Sequence, residues 1–226
     1  DSGQVLVDDE DVRDYKVIEL RQGVATLTQD HQLYPLSIQE NIGLGHPEAI
    51  DDVDLIKDAV RRAGAEGLIE KLSKGLETVL DPYTHQYGVD VDEEDESELA
   101  EELKKLNQSA DVSGGERQRV VAARTFMRFN SDKVRFVAVD EPSSALDPEG
   151  ELALFNNLRE VRKGKTMVFV THRFGHLTRH ADKILCMKDG KIVESGSHTE
   201  LMELKGEYSK LYNIQAKAFE SGQEEE

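Results

Sequence analysis

The 226-residue sequence predicts an α/β protein built on a mostly parallel sheet. Three observations carry this. Short, β-branched-rich apolar runs at Val24–Thr28, Val134–Val139 and Met167–Val170 have the length and composition of buried strands. Helical periodicity fills the stretches between them. Three S-x-x-E capping boxes, Ser37/Glu40, Ser113/Glu116 and Ser197/Glu200, mark helix starts.

In chain order, the first strand is followed by a helix expected over Ile50–Ala63, after Pro47. The segment Tyr83–Gln108 has the character of an insertion, an acidic loop and then a polar helix from Ser97. A helix over Glu116–Phe129 carries Val120, Ala123 and Met127 on one face. The second strand follows. Asp147 and Pro148 then open a helix to Val161, an acidic cap with proline at the first helical position. After the third strand, Lys183–Met187, the turn Asp189-Gly190 and Lys191–Glu194 make a hairpin.

Composition narrows the function classes. There are 28 basic and 46 acidic residues, a net charge of −18, and 38% of residues are hydrophobic. A core is therefore within reach. An acidic chain repels phosphate backbones, which argues against nucleic-acid binding as its main task. No apolar run approaches a membrane span, and no secretory signal opens the chain. The one cysteine, Cys186, excludes an internal disulfide, fits a reducing compartment and lies in an apolar run expected to be core. Nine carboxylates fall between Asp90 and Glu102 with no basic side chain, and Glu224–Glu226 end the chain; such blocks are ordinarily solvated. Residue 1 is Asp, so the chain is expected to be processed, excised or incomplete.

The polar residues that follow the strands are the chemical signal. Gln29 comes after the first, Asp140 and Glu141 after the second, Thr171 and His172 after the third. Parallel strands place their carboxyl ends on one edge, where open α/β sheets bind ligands. Adjacent carboxylates there suit metal–nucleotide chemistry, one for Mg²⁺ and one to deprotonate water; taken alone they equally fit a solvated strand end before Pro142. Ser113-Gly114-Gly115-Glu116 opens a helix whose free N–H groups suit an anion, or simply cap it. His172, His176 and His180 share an i, i+4, i+8 spacing that on one helix could face a metal, but Gly175 and the lack of a carboxylate disfavour it. Gly164-Lys165-Thr166 imitates the end of a phosphate loop. Arg159 stands where that loop needs glycine, and the order is helix, then strand, so it is rejected.

Together these pieces resemble the nucleotide-binding domain of an ATP-binding-cassette (ABC) protein, over nearly the whole chain. Val112–Arg119 resembles the signature motif, with Val for Leu and Glu for Gln. Val134–Asp140 with Glu141 resembles the Walker B strand and catalytic glutamate. Ser144-Ala145-Leu146-Asp147 resembles the D-loop, Thr171-His172-Arg173 the switch-histidine loop, and Gln29 the Q-loop glutamine. Leu33-Tyr34-Pro35 and Ile38–Ile42 look like the exporter type, and Lys188–Gly196 like the family's C-terminal hairpin.

The resemblance implies a P-loop NTPase-like domain with a helical subdomain carrying the signature, ATP and Mg²⁺ as ligands, and ATP hydrolysis. It implies that Asp140 and Gln29 serve Mg²⁺, and that Glu141 is the general base. It implies that His172 holds the γ-phosphate. Ser113, Gly114 and Gly115, with Glu116 beside them, would clamp ATP held by a second cassette, homo- or heterodimeric, and Asp147 would cross that interface. A membrane domain as partner and a place in the cytoplasm or on the cytosolic face of a membrane follow as expectations. Residues 1–226 are then one cassette, with an acidic insertion at 84–110 and an acidic tail at 220–226. The Walker A loop and N-terminal strands are expected to lie upstream of Asp1, since Asp1–Val7 resembles the segment after that loop. The competing readings are a soluble ABC ATPase acting on a macromolecular partner, and a non-hydrolysing partner cassette. Charge repulsion of nucleotide by the insertion is weighed against a plain solvated loop.

Overall fold

The computed structural model describes residues 2–28, 32–80, 112–141, 146–172, 174 and 176–221. The chain divides into two compact units, Asp1–Val170 and Thr171–Glu226.

In the first unit, β1 (Leu6–Val7) and β2 (Glu10–Asp11) form a short antiparallel pair, followed by helix α1 (Val17–Gln22). The sheet is β3 (Val24–Leu27), β4 (Phe136–Asp140) and β5 (Thr166–Val170), in that order and all parallel. Register places Leu27 beside Val139 and Asp140 beside Val170. The expected strands are therefore present, with the second and third shifted by one or two residues. Val134 is fully buried but precedes β4, so its apolar character reports burial and not pairing.

One sheet face is covered. Ala25, Leu27, Val137 and Val139 point inward and are buried. They join a cluster with Val120, Ala123, Phe126 and Met127 of helix α5 (Gly114–Phe129). The period-2 alternation of the strands meets the 3.6-residue stripe of the helix, and burial of this shared apolar surface holds the unit together.

Helices α2 (Ile38–Gly43), α3 (Val53–Arg62) and α4 (Glu66–Lys71) complete that core through Ile38, Ile42, Ile56, Ala59 and Leu68. The expected helix over Ile50–Ala63 begins three residues later. Asp52 accepts the N–H groups of Asp54 and Leu55 at 3.1 Å each, a stronger start signal than Pro47, which opens only a 3-10 turn. Gly45 lets α5 approach: a Cβ there would lie 2.1 Å from the Arg124 carbonyl oxygen. Helix α6 (Pro148–Glu160) starts at the expected proline.

The second unit holds α7 (His176–His180), the hairpin β6 (Ile184–Lys188) and β7 (Lys191–Gly196), α8 (His198–Leu204) and α9 (Glu207–Ser221). The hairpin turn puts Asp189 and Gly190 at φ 49° and 73°, the left-handed pair a two-residue turn requires. Cys186, Leu201 and Tyr208 form its core, and burial pushes the Cys186 thiol up, as befits an inert core cysteine. The Glu194 carboxylate accepts the Glu207 and Tyr208 N–H groups at 2.5 and 3.0 Å, capping α9. His198 Nδ1 lies 2.8 Å from the Tyr208 hydroxyl, and burial, then the Arg179 charge, hold that imidazole below its ordinary range.

All three capping boxes form. The histidine stripe does not lie on one helix: α7 spans His176–His180, and His172 precedes it. No group of three potential metal-ligating side chains occurs among the described residues. None of the described helices is long and apolar enough to cross a membrane. The acidic insertion at 84–110 lies outside the described residues; of the tail, residues 220 and 221 end α9 and the rest lie outside them.

Candidate functional site

The sheet's carboxyl edge carries the carboxylate pair. Asp140 is the last residue of β4 and its side chain is exposed. Glu141 follows at φ 44°, a left-handed backbone that a glutamate adopts only against a steric cost. Its N–H donates to the Val170 carbonyl at 2.9 Å, so the β4–β5 ladder runs one residue past the strand and pins it there. This backbone fixes where the second carboxylate starts. Neither composition nor spacing signals the left-handed residue.

Of the residues expected at this edge, the structure places Asp140 and Glu141 between the ends of β3 and β5. Gln29, two residues past β3, lies outside the described residues, as do Ser144 and Arg173. His172 follows Val170 by two positions and belongs to the second unit, with its side chain exposed.

The second cluster is the start of α5. Ser113 Oγ accepts the Glu116 N–H at 3.3 Å, and the Glu116 carboxylate accepts the Ser113 N–H at 2.9 Å and hydroxyl at 2.8 Å. Lys71 donates to the other carboxylate oxygen at 3.1 Å. The Ser113 N–H above all holds the Glu116 carboxyl below the usual carboxylate range. Around Gly114 there is open space: no atom lies within 4 Å of where a Cβ would stand. The result is a 16-residue helix whose amino end is rigidly capped and unobstructed at its first residue. The Ser113→Ala variant is expected to lose about 1 kcal/mol of unfolding free energy, read as a lower denaturant midpoint; an unchanged midpoint would show the box to be energetically idle.

Asp147 caps α6, accepting the Gly150 N–H at 2.9 Å. A Cβ on Gly150 would sit 2.6 Å from that same carboxylate oxygen, so the cap depends on glycine. Arg119, two turns along from the α5 cap, reaches Asp147 at 3.9 Å and donates to the Gly64 carbonyl at 2.7 Å.

A polar net ties the segment after Gln29 to α5. Asn41, fully buried, donates to the carbonyls of Tyr34, Leu36 and Ser37 at 3.0–3.2 Å and accepts the Tyr34 N–H at 2.9 Å. Arg124 donates to the Asn41 carbonyl at 2.7 Å, to Asn41 Oδ1 at 3.0 Å and to the Gln32 carbonyl at 3.1 Å. Its guanidinium also lies 5.1 Å from the Tyr34 ring centroid. Sequence reasoning took Asn41 only as part of the exporter-like Ile38–Ile42 run and missed Arg124. The available signal was an amide between Ile38 and Ile42 and an arginine inside an apolar helix, residue types that burial tolerates only when paired.

Comparison with known proteins bears on this arrangement. The profile of the ABC transporter family matches residues 1–144. The ATP-dependent lipid A-core flippase of Chromohalobacter salexigens is 33% identical over 213 residues, covering 94% of this chain and 31% of that protein. The mitochondrial iron-sulfur clusters transporter atm1 of Aspergillus fumigatus is 33% identical over 94% of this chain and 25% of its own length. The solved structure of a bacterial Atm1-family ABC exporter with ATP bound superposes with a TM-score of 0.73 at 26% identity, over 95% of this chain and 32% of that one. The chain thus spans a quarter to a third of the length of the proteins it matches.

Proposed function

The chain belongs to the ABC transporter family, and from that premise we propose that it binds and hydrolyses ATP as the engine of an export-type transporter. The observation that carries the reading is the Asp140–Glu141 pair at the sheet's carboxyl edge, with Glu141 held in a left-handed backbone by the Val170 carbonyl. In this reading Glu141 takes the proton of the attacking water, and Asp140, through water, and Gln29 would hold the metal when it is bound. His172 contacts the γ-phosphate, and Gln29 relays the state of a partner domain. The donor set suits Mg²⁺, which is usually held by one or two carboxylates plus substrate phosphates and not by an all-protein cage; when bound, it neutralises charge on the phosphates.

The open amino end of α5, with Ser113, Gly114 and Gly115, is suited to a phosphate presented by a second cassette. Glu116 keeps Ser113 in place, and Asp147 faces the same partner. A two-fold, head-to-tail dimer makes the signature of one copy serve the nucleotide of the other. A membrane domain completes the transporter, in keeping with relatives that are a flippase, a transporter and an exporter. The phosphate loop that the nucleotide also requires is not among these 226 residues. Residues 1–226 are read as one cassette that carries the acidic insertion at 84–110.

The test uses the full-length protein. It is expected to release phosphate from Mg-ATP and to sediment with membranes. Phosphate release without membrane association would favour a machine acting on a macromolecule, and no release at all would leave a non-hydrolysing partner cassette.

A further inference from the structure

We propose that Gln215, on the C-terminal helix α9, is a positioning residue for His172. The inference rests on the reading of His172 as the γ-phosphate contact. The Gln215 carboxamide brackets the backbone around that histidine. Its Oε1 accepts the Phe174 N–H at 2.9 Å, and its Nε2 donates to the His172 carbonyl. One amide group thus satisfies an acceptor and a donor two residues apart. The carboxamide can face only one way, because the oxygen meets an N–H and the nitrogen meets a carbonyl.

The rest of α9 supports the same segment. Tyr208, Tyr212 and Gln215 recur at i, i+4 and i+7 and share one helix face. The Phe174 ring packs edge-on against Tyr208 at 5.6 Å and Tyr212 at 6.3 Å between centroids. Tyr208 is buried, and the Tyr212 hydroxyl accepts two N–H groups of Arg179, on α7, at 2.8 and 3.1 Å. The side chain of Phe174 is therefore held by two rings and its N–H by Gln215. His172 and Phe174 lie past the end of β5, outside its strand ladder. Their backbone needs partners from elsewhere, and a helix more than forty residues on supplies them. This fixes the Cα from which the His172 imidazole projects. A reacting group displaced by about 1 Å can lose about 10²-fold in rate, so an anchor of this kind acts on turnover without touching nucleotide.

The experiment compares Gln215→Leu and Gln215→Glu with wild type in the full-length protein. It measures kcat and KM for ATP, Phe174 amide exchange and His172 ring resonances. Gln215→Leu is expected to lower kcat about tenfold, leave KM for ATP unchanged, speed Phe174 exchange and shift the His172 signals. Gln215→Glu keeps an acceptor for the Phe174 N–H but has no donor for the His172 carbonyl. It is expected to retain Phe174 protection and still lose kcat, which separates positioning from folding. Unchanged Phe174 exchange in Gln215→Leu overturns the anchor, and faster exchange with unchanged kcat overturns its role in positioning. Absence of turnover in wild type overturns the ATPase reading, and with it the catalytic meaning of an anchor that Phe174 exchange detects independently.

Discussion

Glu141→Gln in the full-length protein is expected to lower ATP turnover by about 10²–10⁴-fold while ATP binding persists. The carboxamide has nearly the same shape as the carboxylate but cannot accept the proton of an attacking water. The backbone should not move, because the bond that fixes residue 141 is made by its own N–H to the Val170 carbonyl. The variant is therefore expected to accumulate ATP-bound dimers, with two nucleotides trapped between cassettes. Phosphate release and size-exclusion chromatography with Mg-ATP measure both effects. Turnover at the wild-type rate would remove Glu141 from the mechanism, and lost dimerisation would place its role in assembly.

Arg124→Met is expected to be the most damaging change outside the carboxylate pair, lowering unfolding free energy by about 3 kcal/mol. The guanidinium donates three hydrogen bonds to the Asn41 and Gln32 carbonyls and to the Asn41 side chain. Methionine fills a similar volume but donates none. The Asn41 carbonyl belongs to a buried residue, so it loses its guanidinium donor and must draw in water, while Asn41 Oδ1 keeps the Tyr34 N–H. Burial already lowers the Arg124 pKa, the mark of a cation taken partly out of solvent. Arg124→Lys should recover only part of the loss, because an ammonium cannot present the planar fork that meets Asn41 in two directions. Urea unfolding reads the effect. A midpoint equal to wild type would show that the net contributes order without stability. The net also links α5, which carries the signature at its amino end, to the segment just after Gln29. The same variant should therefore loosen residues 32–37, seen as faster amide exchange there.

Much of this protein is determined by sequence alone. The apolar runs, their helical spacers and the three capping boxes are local signals. Each depends on residues within a few positions of one another, so those that fall among the described residues survive into the structure with shifts of at most three residues. The order of polar residues after the strands is likewise linear, and it points to Asp140, Glu141 and His172 without any coordinates. What the tertiary structure decided is of another kind. The left-handed backbone of Glu141 exists because the Val170 carbonyl lies on the neighbouring strand. Arg124 is half-buried against Asn41 because α5 passes close enough to the end of α2 for Gly45 to be needed. Gln215 meets His172 because α9 folds back on the first residues of its own unit. In each case the interacting groups are tens of residues apart. Hydrogen bonds of that span leave no periodicity or spacing in the chain, since their partners become neighbours only when the apolar faces have packed.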